Sequence, residues 1–132
     1  MTIPVVVDSY AWVEYSEGSE EGKTAREFIE GYYDIYTPAV VVAELSDRAT
    51  REGMREKWEN VLRPYIERQT TVVPIEPQVA GEAGKTKWEM REHSPEVGLA
   101  DAVVLATARE LDAKVLTGDP DFLVEAFSDE VI

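Results

Sequence analysis

The stretch LADAVVLATARELDAKVL, residues 99–116, predicts a buried helix that leads directly into a strand. Residues 99–111 are apolar nearly all round except for Asp101 and Arg109, which is typical of a helix packed against a sheet. Lys114–Leu116 then supplies the strand. A helix that feeds a parallel strand must run antiparallel to it, so this segment predicts one unit of an α/β fold.

The start of the chain predicts a second strand, at the centre of the sheet. Residues 3–7 form an unbroken apolar run that ends at Asp8, without the alternation of a half-exposed strand. Ser9 is expected to cap the helix that follows, and Gly18 and Ser19 to end it. The protein is therefore predicted to open with a buried parallel strand and a helix.

The rest of the chain is predicted to alternate between helices and strands. This alternation indicates one domain, residues 1–132, built as a three-layer α/β sandwich around a mostly parallel sheet of four to five strands. Pro38 is placed in the first turn of a helix that Gly53 interrupts, and a break is expected at Pro64. The other predicted helices cover residues 20 to about 32, 54 to about 68 and 78 to about 92, and the other predicted strands residues 34–37, 70–75 and, barely, 130–132.

The composition excludes several classes of function. The 132 residues include no cysteine, so disulfides, thiolate nucleophiles and zinc–cysteine sites are impossible. The N-terminus has no signal-peptide pattern, and no apolar run approaches the roughly 20 residues of a membrane span. We therefore expect a cytoplasmic protein that makes no membrane contact.

The charge balance argues against nonspecific binding to nucleic acid. Asp and Glu number 27 against 13 Lys and Arg, a formal net charge of −14. Arg48, Arg51 and Arg55 are weak candidates for RNA contacts near the site described next. Acidic residues at salt-bridging helical spacing favour an ordinary solvated helix for this stretch instead.

Four acidic residues are predicted to converge at one edge of the sheet. Asp8 and Asp119 each follow a strand, and the carboxyl ends of parallel strands open into one crevice. Asp101 returns to that edge at the start of its helix, and Glu44 lies about two turns into the helix after the second strand. Each acid taken alone could be a cap, a turn residue or a solvated charge. Together they indicate a site for a hard cation, Mg²⁺ or Mn²⁺, because clustered carboxylates otherwise repel.

The sequence resembles the PIN-domain family and, within it, the VapC toxins of VapBC toxin–antitoxin systems. Four segments carry the resemblance, in this order: VDSYAW at residues 7–12, EL at 44–45, LADAVVLATA at 99–108 and TGDPDF at 117–122. Their combination is much more specific than any one segment and covers the chain from the first strand to residue 122.

The resemblance implies a metal-dependent endoribonuclease that is often a homodimer and is held inactive by a VapB-type antitoxin covering the acidic crevice. Asp8, Glu44, Asp101 and Asp119 match the acidic set of the family, and so are implied to be the catalytic and metal-binding residues. The auxiliary positions that the resemblance also implies are two hydroxyls that would orient carboxylates and one more variable acid: Ser9, Thr117 and Asp121.

Several functions remain open at this point. The first is hydrolysis of single-stranded or loop RNA by a metal-activated water, in the toxin of a type II toxin–antitoxin pair or in a housekeeping RNA-processing nuclease. The second is a phosphatase or phospho-acceptor domain in which Asp8 would be phosphorylated. It is disfavoured because no Asp-x-Asp motif follows the first strand and because no lysine is in the fitting position, Lys114 being at the start of a strand. A catalytically silent PIN-like binding module is the third, although all four acids are retained.

The aromatic residues on the predicted helices have two possible roles. Trp12, Tyr15 and Phe28 are expected to face the core rather than to form a docking surface for an antitoxin or a second subunit. Trp58 and Trp88 lie on charged helices, and the sequence leaves their role open.

Overall fold

A parallel sheet of four strands, in the order β3-β2-β1-β4, lies at the centre of the fold. The computed structural model describes residues 3–31 and 34–132. The strands are β1 (Pro4–Val7), β2 (Asp34–Pro38), β3 (Thr71–Val73) and β4 (Lys114–Leu116). Every strand pair is parallel, so the predicted α/β sheet is confirmed.

Helices flank this sheet and connect its strands. They are α1 (Ser9–Glu17), α2 (Lys23–Ile29), α3 (Ala39–Arg51), α4 (Arg55–Lys57), α5 (Arg63–Gln69), α6 (Pro77–Arg91) and α7 (Leu99–Glu110). A π-helical segment, Trp58–Leu62, joins α4 to α5, and a 3₁₀ turn lies at Glu125–Phe127. Within the ranges that the structure describes, no helix is both long and apolar enough to cross a membrane.

The core forms where the apolar runs of β1 and α7 meet. Three consecutive valines of β1 are fully buried, as expected for a central strand covered on both faces, and α7 is buried from Ala102 to Ala108. Trp12 is also buried in this core, and its indole N–H donates to the Thr37 hydroxyl at 3.3 Å. Its polar edge is thereby satisfied, and the prediction that Trp12 faces inward is confirmed.

The helix starts differ from the predictions in three places. The cap of α1 is Asp8 and not Ser9, because Asp8 has the extended backbone and its carboxylate accepts the Ala11 N–H. Pro38 ends β2 as the cap residue of α3 rather than lying in the first turn. The second helix begins at Lys23 instead of residue 20, after a turn; its predicted end at Tyr32 lies outside the described residues.

The predicted helix over residues 54–68 is interrupted, but before Pro64 and not at it. The interruption is the π-helical segment, which ends just before the first turn of α5, where the missing N–H of Pro64 costs no hydrogen bond. Trp58, at the start of the segment, is only 3% exposed and belongs to the core. The following strand is shorter than predicted, since Pro74 comes directly after Val73.

The last predicted strand is reduced to a single bridge. Val131 pairs with Val115 in a parallel bridge on the outer side of β4. The Val115 N–H donates to the Glu130 carbonyl at 2.8 Å, and the Ile132 N–H donates to the Val115 carbonyl at 2.9 Å. The tail therefore satisfies the outward backbone groups of the central residue of β4.

Gly22 is a position where the fold admits no side chain. A Cβ on this residue would lie 2.8 Å from the carbonyl carbon of Glu14 in α1, which is backbone and cannot rotate away. We expect Gly22→Ala to lower the free energy of unfolding by about 1–3 kcal/mol in urea denaturation.

Gly84→Ala is the matched control. Gly84 lies inside α6 with open space around the added methyl group, so this change should be neutral or stabilise by up to about 1 kcal/mol. Equal stability of the two variants would show that α1 does not approach Gly22 this closely.

Candidate functional site

The site begins where two neighbouring strands end. Val7 of β1 pairs with Leu116 of β4, so the next residues of the two strands, Asp8 and Thr117, lie side by side. The Thr117 hydroxyl donates to Asp8 Oδ2 at 2.5 Å, while Asp8 Oδ1 accepts the Ala11 N–H at 2.8 Å. Asp8 is only 4% exposed, and both its oxygens are occupied. One buried carboxylate thus joins the start of α1 to the loop after β4.

The same loop positions two more acids. The Asp119 N–H donates to the Thr117 hydroxyl oxygen, and the Asp121 N–H donates to Asp119 Oδ1, both at 2.9 Å. The second bond closes a tight turn of the kind that an Asp side chain commonly forms with the backbone N–H two residues later in the chain. Asp119 and Asp121 are therefore fixed relative to each other by the loop itself.

Asp101 reaches this loop from the first turn of α7. Its Oδ2 accepts the Gly98 N–H at 3.2 Å, which fixes the carboxylate at the start of the helix. Asp101, Asp119 and Asp121 each offer a carboxylate oxygen, and these oxygens all lie within 4.8 Å of one another. Three acids from two segments thus form one compact oxygen cluster.

Glu44 borders the same cleft from α3. It is half-buried, and the nearby Ser9 side chain partly offsets the rise that burial causes in the pKa of its carboxyl group. With Tyr10, Asp101 and Asp119, it lines a cleft of about 270 Å³. Glu44 and two acids of the cluster, Asp101 and Asp119, therefore face one cleft.

Burial and mutual repulsion raise the pKa of four acids at the site, Asp8, Glu44, Asp101 and Asp121. Burial raises the pKa of Asp8 from 3.8 to about 7, and the charges of Asp119 and Asp101 add to the effect. Burial is also the main cause of the raised pKa values of Glu44, Asp101 and Asp121. Among the residues that the structure describes, no lysine or arginine forms an ion pair with any of them. The cluster therefore carries uncompensated negative charge.

This donor set fits a hard divalent cation. Carboxylate oxygens are the ligands that Mg²⁺ and Mn²⁺ prefer, and a cation among them would offset both the burial of these charges and their mutual repulsion. Asp101, Asp119 and Asp121 are the residues placed to hold such an ion.

The structure groups the expected site residues differently from the sequence. Asp101 and Asp119 share the tight cluster with Asp121, which was expected to be only auxiliary. Asp8 is bonded to the loop that carries Asp119, and Glu44 lines the same cleft, but neither is one of the three acids of the cluster. Asp121 joins the cluster because its N–H donates to Asp119 Oδ1, which closes a tight turn. The sequence Asp119-Pro120-Asp121 is typical of such a turn and was the local signal for this position.

The three arginines suggested for RNA contacts already have acidic partners. Arg48 and Arg51 lie at the rim of the cleft, whereas Arg55 is not among its lining residues. The ion pairs are Arg48 with Glu17 and Glu52, Arg51 with Asp47, and Arg55 with Glu59. This pairing supports the solvated charged helix over a phosphate-binding surface.

Two residues at the site were missed by the sequence analysis. Tyr10 and Glu14 lie one turn apart on α1 and pack against Gly118, the residue before Asp119. A Cβ at Gly118 would lie 3.0 Å from the Tyr10 ring and would overlap the Glu14 carboxylate. Their spacing of four residues on a helix that starts at the site was the available signal.

Comparison with known proteins gives one family and one fold. Residues 5–127 match the family model described as PIN domain. No individually curated protein shows significant sequence similarity to the chain.

Similar folds occur in toxin–antitoxin proteins. VapBC2 from Rickettsia felis, bound to a promoter DNA fragment, is similar with a TM-score of 0.76 at 13% identity, covering 98% of this chain and 96% of that one. A toxin–antitoxin complex from Klebsiella pneumoniae has a TM-score of 0.74 at 18% identity, covering 97% and 95%. VapC20 from Mycobacterium tuberculosis, a toxin that cleaves the sarcin–ricin loop, has a TM-score of 0.71 at 18% identity, covering 89% and 92%. At such identities the similarity establishes the fold.

The raised pKa of Asp8 predicts how stability depends on pH without metal. Between pH 4 and 7 the folded protein retains a proton that the unfolded chain has released, so stability falls as pH rises through this interval and levels off above it. One such group contributes a slope of up to about 1.4 kcal/mol per pH unit. Urea denaturation in EDTA across this range measures the slope.

Asp8→Asn should flatten that slope, because the amide has no proton to lose, whereas Asp129→Asn on the exposed surface should leave it unchanged. An equally steep profile in the Asp8 variant would show that Asp8 is not the group responsible.

Proposed function

The chain belongs to the PIN domain family, and we propose that it is a metal-dependent endoribonuclease that hydrolyses phosphodiester bonds in single-stranded or loop RNA. The observation that carries the proposal is the cluster of Asp101, Asp119 and Asp121 oxygens within 4.8 Å of one another at the carboxyl edge of the sheet. This is the edge at which open α/β sheets bind their ligands.

The acids of the site have separate roles in this proposal. Asp101, Asp119 and Asp121 hold Mg²⁺ or Mn²⁺, which when bound supplies an activated water and neutralises the charge that develops on the phosphodiester. Asp8 and its partner Thr117 keep the loop that carries Asp119 in place.

Glu44 is the acid best suited to move a proton. Its pKa is raised, chiefly by burial, which brings the carboxylate closer to the range useful for proton transfer near neutral pH. Ser9 lies beside it in the lining of the cleft, and the cleft gives the carboxylate access to substrate. We propose that Glu44 accepts a proton from the attacking water, so no side-chain nucleophile is required.

We further propose that the protein is the toxin of a type II pair, with a VapB-type antitoxin as partner and a homodimer as its own assembly. Similar structures solved as toxin–antitoxin complexes from Rickettsia felis and Klebsiella pneumoniae support this choice over a housekeeping nuclease. Induced expression of the protein in the cytoplasm of a host cell should then arrest growth of that cell. Expression of the Asp101→Asn variant should not.

The direct test is cleavage of a mixed-sequence single-stranded RNA by the purified protein. We expect cleavage in Mn²⁺ or Mg²⁺ and none in EDTA. Asp101→Asn and Asp121→Asn should each lower the rate by about 100-fold or more, because each removes a charged oxygen ligand from the cluster.

Asp47→Asn is the matched control, since it removes the same charge from an exposed residue at the rim of the cleft, where Asp47 pairs with Arg51. Its rate should stay within a few-fold of the parent. If the parent protein binds Mn²⁺ and yet cleaves neither this RNA nor a structured loop RNA, the nuclease proposal is wrong and a binding module is the better description.

A further inference from the structure

Trp88 on α6 differs from the other two tryptophans of the chain. Its side chain is 64% exposed, whereas Trp12 and Trp58 are 0% and 3% exposed. Single exposed apolar side chains are common on protein surfaces, so exposure alone indicates nothing. The surroundings of the ring decide whether it has a function.

Two cationic side chains accompany the Trp88 ring. Lys87 Nζ lies 5.5 Å and Arg91 Cζ 5.3 Å from the ring centroid, within the range of cation–π attraction. Within residues 3–31 and 34–132, neither Lys87 nor Arg91 forms an ion pair. In a protein of net charge −14, these cations remain available, unlike the paired Arg48 at the cleft rim.

A short path of contacts connects this cluster to the acidic site. Arg91 Nε donates to the Val97 carbonyl at 2.9 Å. The same peptide group carries the Gly98 N–H, which donates to Asp101 Oδ2 at 3.2 Å. The aromatic ring, the guanidinium and the Asp101 carboxylate are therefore linked by three successive contacts through one peptide group. The cluster is therefore a near neighbour of Asp101.

We propose that Lys87, Trp88 and Arg91 form a platform for the single-stranded RNA substrate beside the site of cleavage. A base stacks on the exposed indole, and the two cations contact backbone phosphates, which is how proteins bind single strands without reading their sequence. This inference rests on the proposed nuclease function, because it names where the substrate of that site is held.

Single-stranded RNA fits this surface better than a protein partner does. Lys85 and Arg91, three residues before and after Trp88 on α6, are both charged, so the face lacks the apolar surroundings of a protein interface core. An aromatic face flanked by free cations instead matches the two components of a nucleotide, its base and its phosphate.

Intrinsic fluorescence tests the platform directly, because Trp88 is the exposed one of the three tryptophans. A short mixed-sequence single-stranded RNA titrated into the protein in EDTA should quench the emission of the exposed indole. The quenching should disappear in Trp88→Phe, while the buried tryptophans continue to emit. Quenching that instead depends on protein concentration without RNA would identify an interface between copies of the chain and overturn the proposal.

Affinity and salt dependence measure the separate contacts. Trp88→Ala should weaken binding of the RNA by about tenfold, the loss expected for one stacked base. Lys87→Gln should reduce the slope of log affinity against log salt by about 0.7, the value for one phosphate contact on a single strand. Val61→Ala, which trims another exposed apolar side chain, should change neither.

Cleavage kinetics separate this inference from the proposed function. In Mn²⁺, Trp88→Ala should raise KM by about the same tenfold factor and leave kcat within a few-fold. Metal-dependent cleavage with unchanged KM and no quenching would overturn the platform and leave the nuclease standing. Quenching and weakened binding in a protein that cleaves no RNA would support the platform and reject the nuclease.

Discussion

The hydrogen bond between the Thr117 hydroxyl and the Asp8 carboxylate holds the carboxyl edge of this protein together. It joins residues 109 positions apart, each one step beyond a pair of strands that are in register. The second oxygen of Asp8 caps α1, and the Thr117 oxygen accepts the N–H of Asp119. Because a buried polar group without a partner is costly, the helix start and the loop that carries Asp119 are stabilised as one unit.

The carboxylates that organise the site also destabilise it when they are charged. Their burial and mutual repulsion raise their pKa values, so the acidic edge is stabilised by protons or by a cation. Lys87 and Arg91, which form no ion pair among the described residues, lie elsewhere, at the end of α6, while the arginines at the cleft rim are paired with acids. In the function proposed here, the acids that bind the metal and the platform that binds the RNA are adjacent but separate. This separation allows an acidic protein to act on a polyanion.

The sequence predicted those elements whose residue pattern determines their surroundings. The valines of β1 and the apolar helix α7 admit only buried positions, and Gly53, with φ of 70°, ends the helix as expected. The acids at the strand ends followed from the topology of a parallel sheet. The family match and the four-stranded parallel sheet agree with the resemblance that these segments suggested.

Features that depend on three-dimensional contacts were not predictable in the same way. Asp8 and Ser9 are both good caps, and only the backbone of Asp8 decides between them. Trp12 and Trp88 both lie on helices, yet one fills the core and the other faces water, because helical spacing does not determine which face packs on the sheet. Asp121 joins the cluster only through its turn onto Asp119.

The bridge between Val115 and Val131 has a consequence for how the molecule associates with others. An exposed strand edge is a template on which another chain can add a strand. Here the tail occupies the outer side of β4, and at the opposite edge β3 has only three residues before Pro74. Little backbone is left for strand addition at either edge. Side chains on helices and loops are therefore the larger surface on which other macromolecules can bind, and there single substitutions can alter the choice of partner without disturbing the sheet.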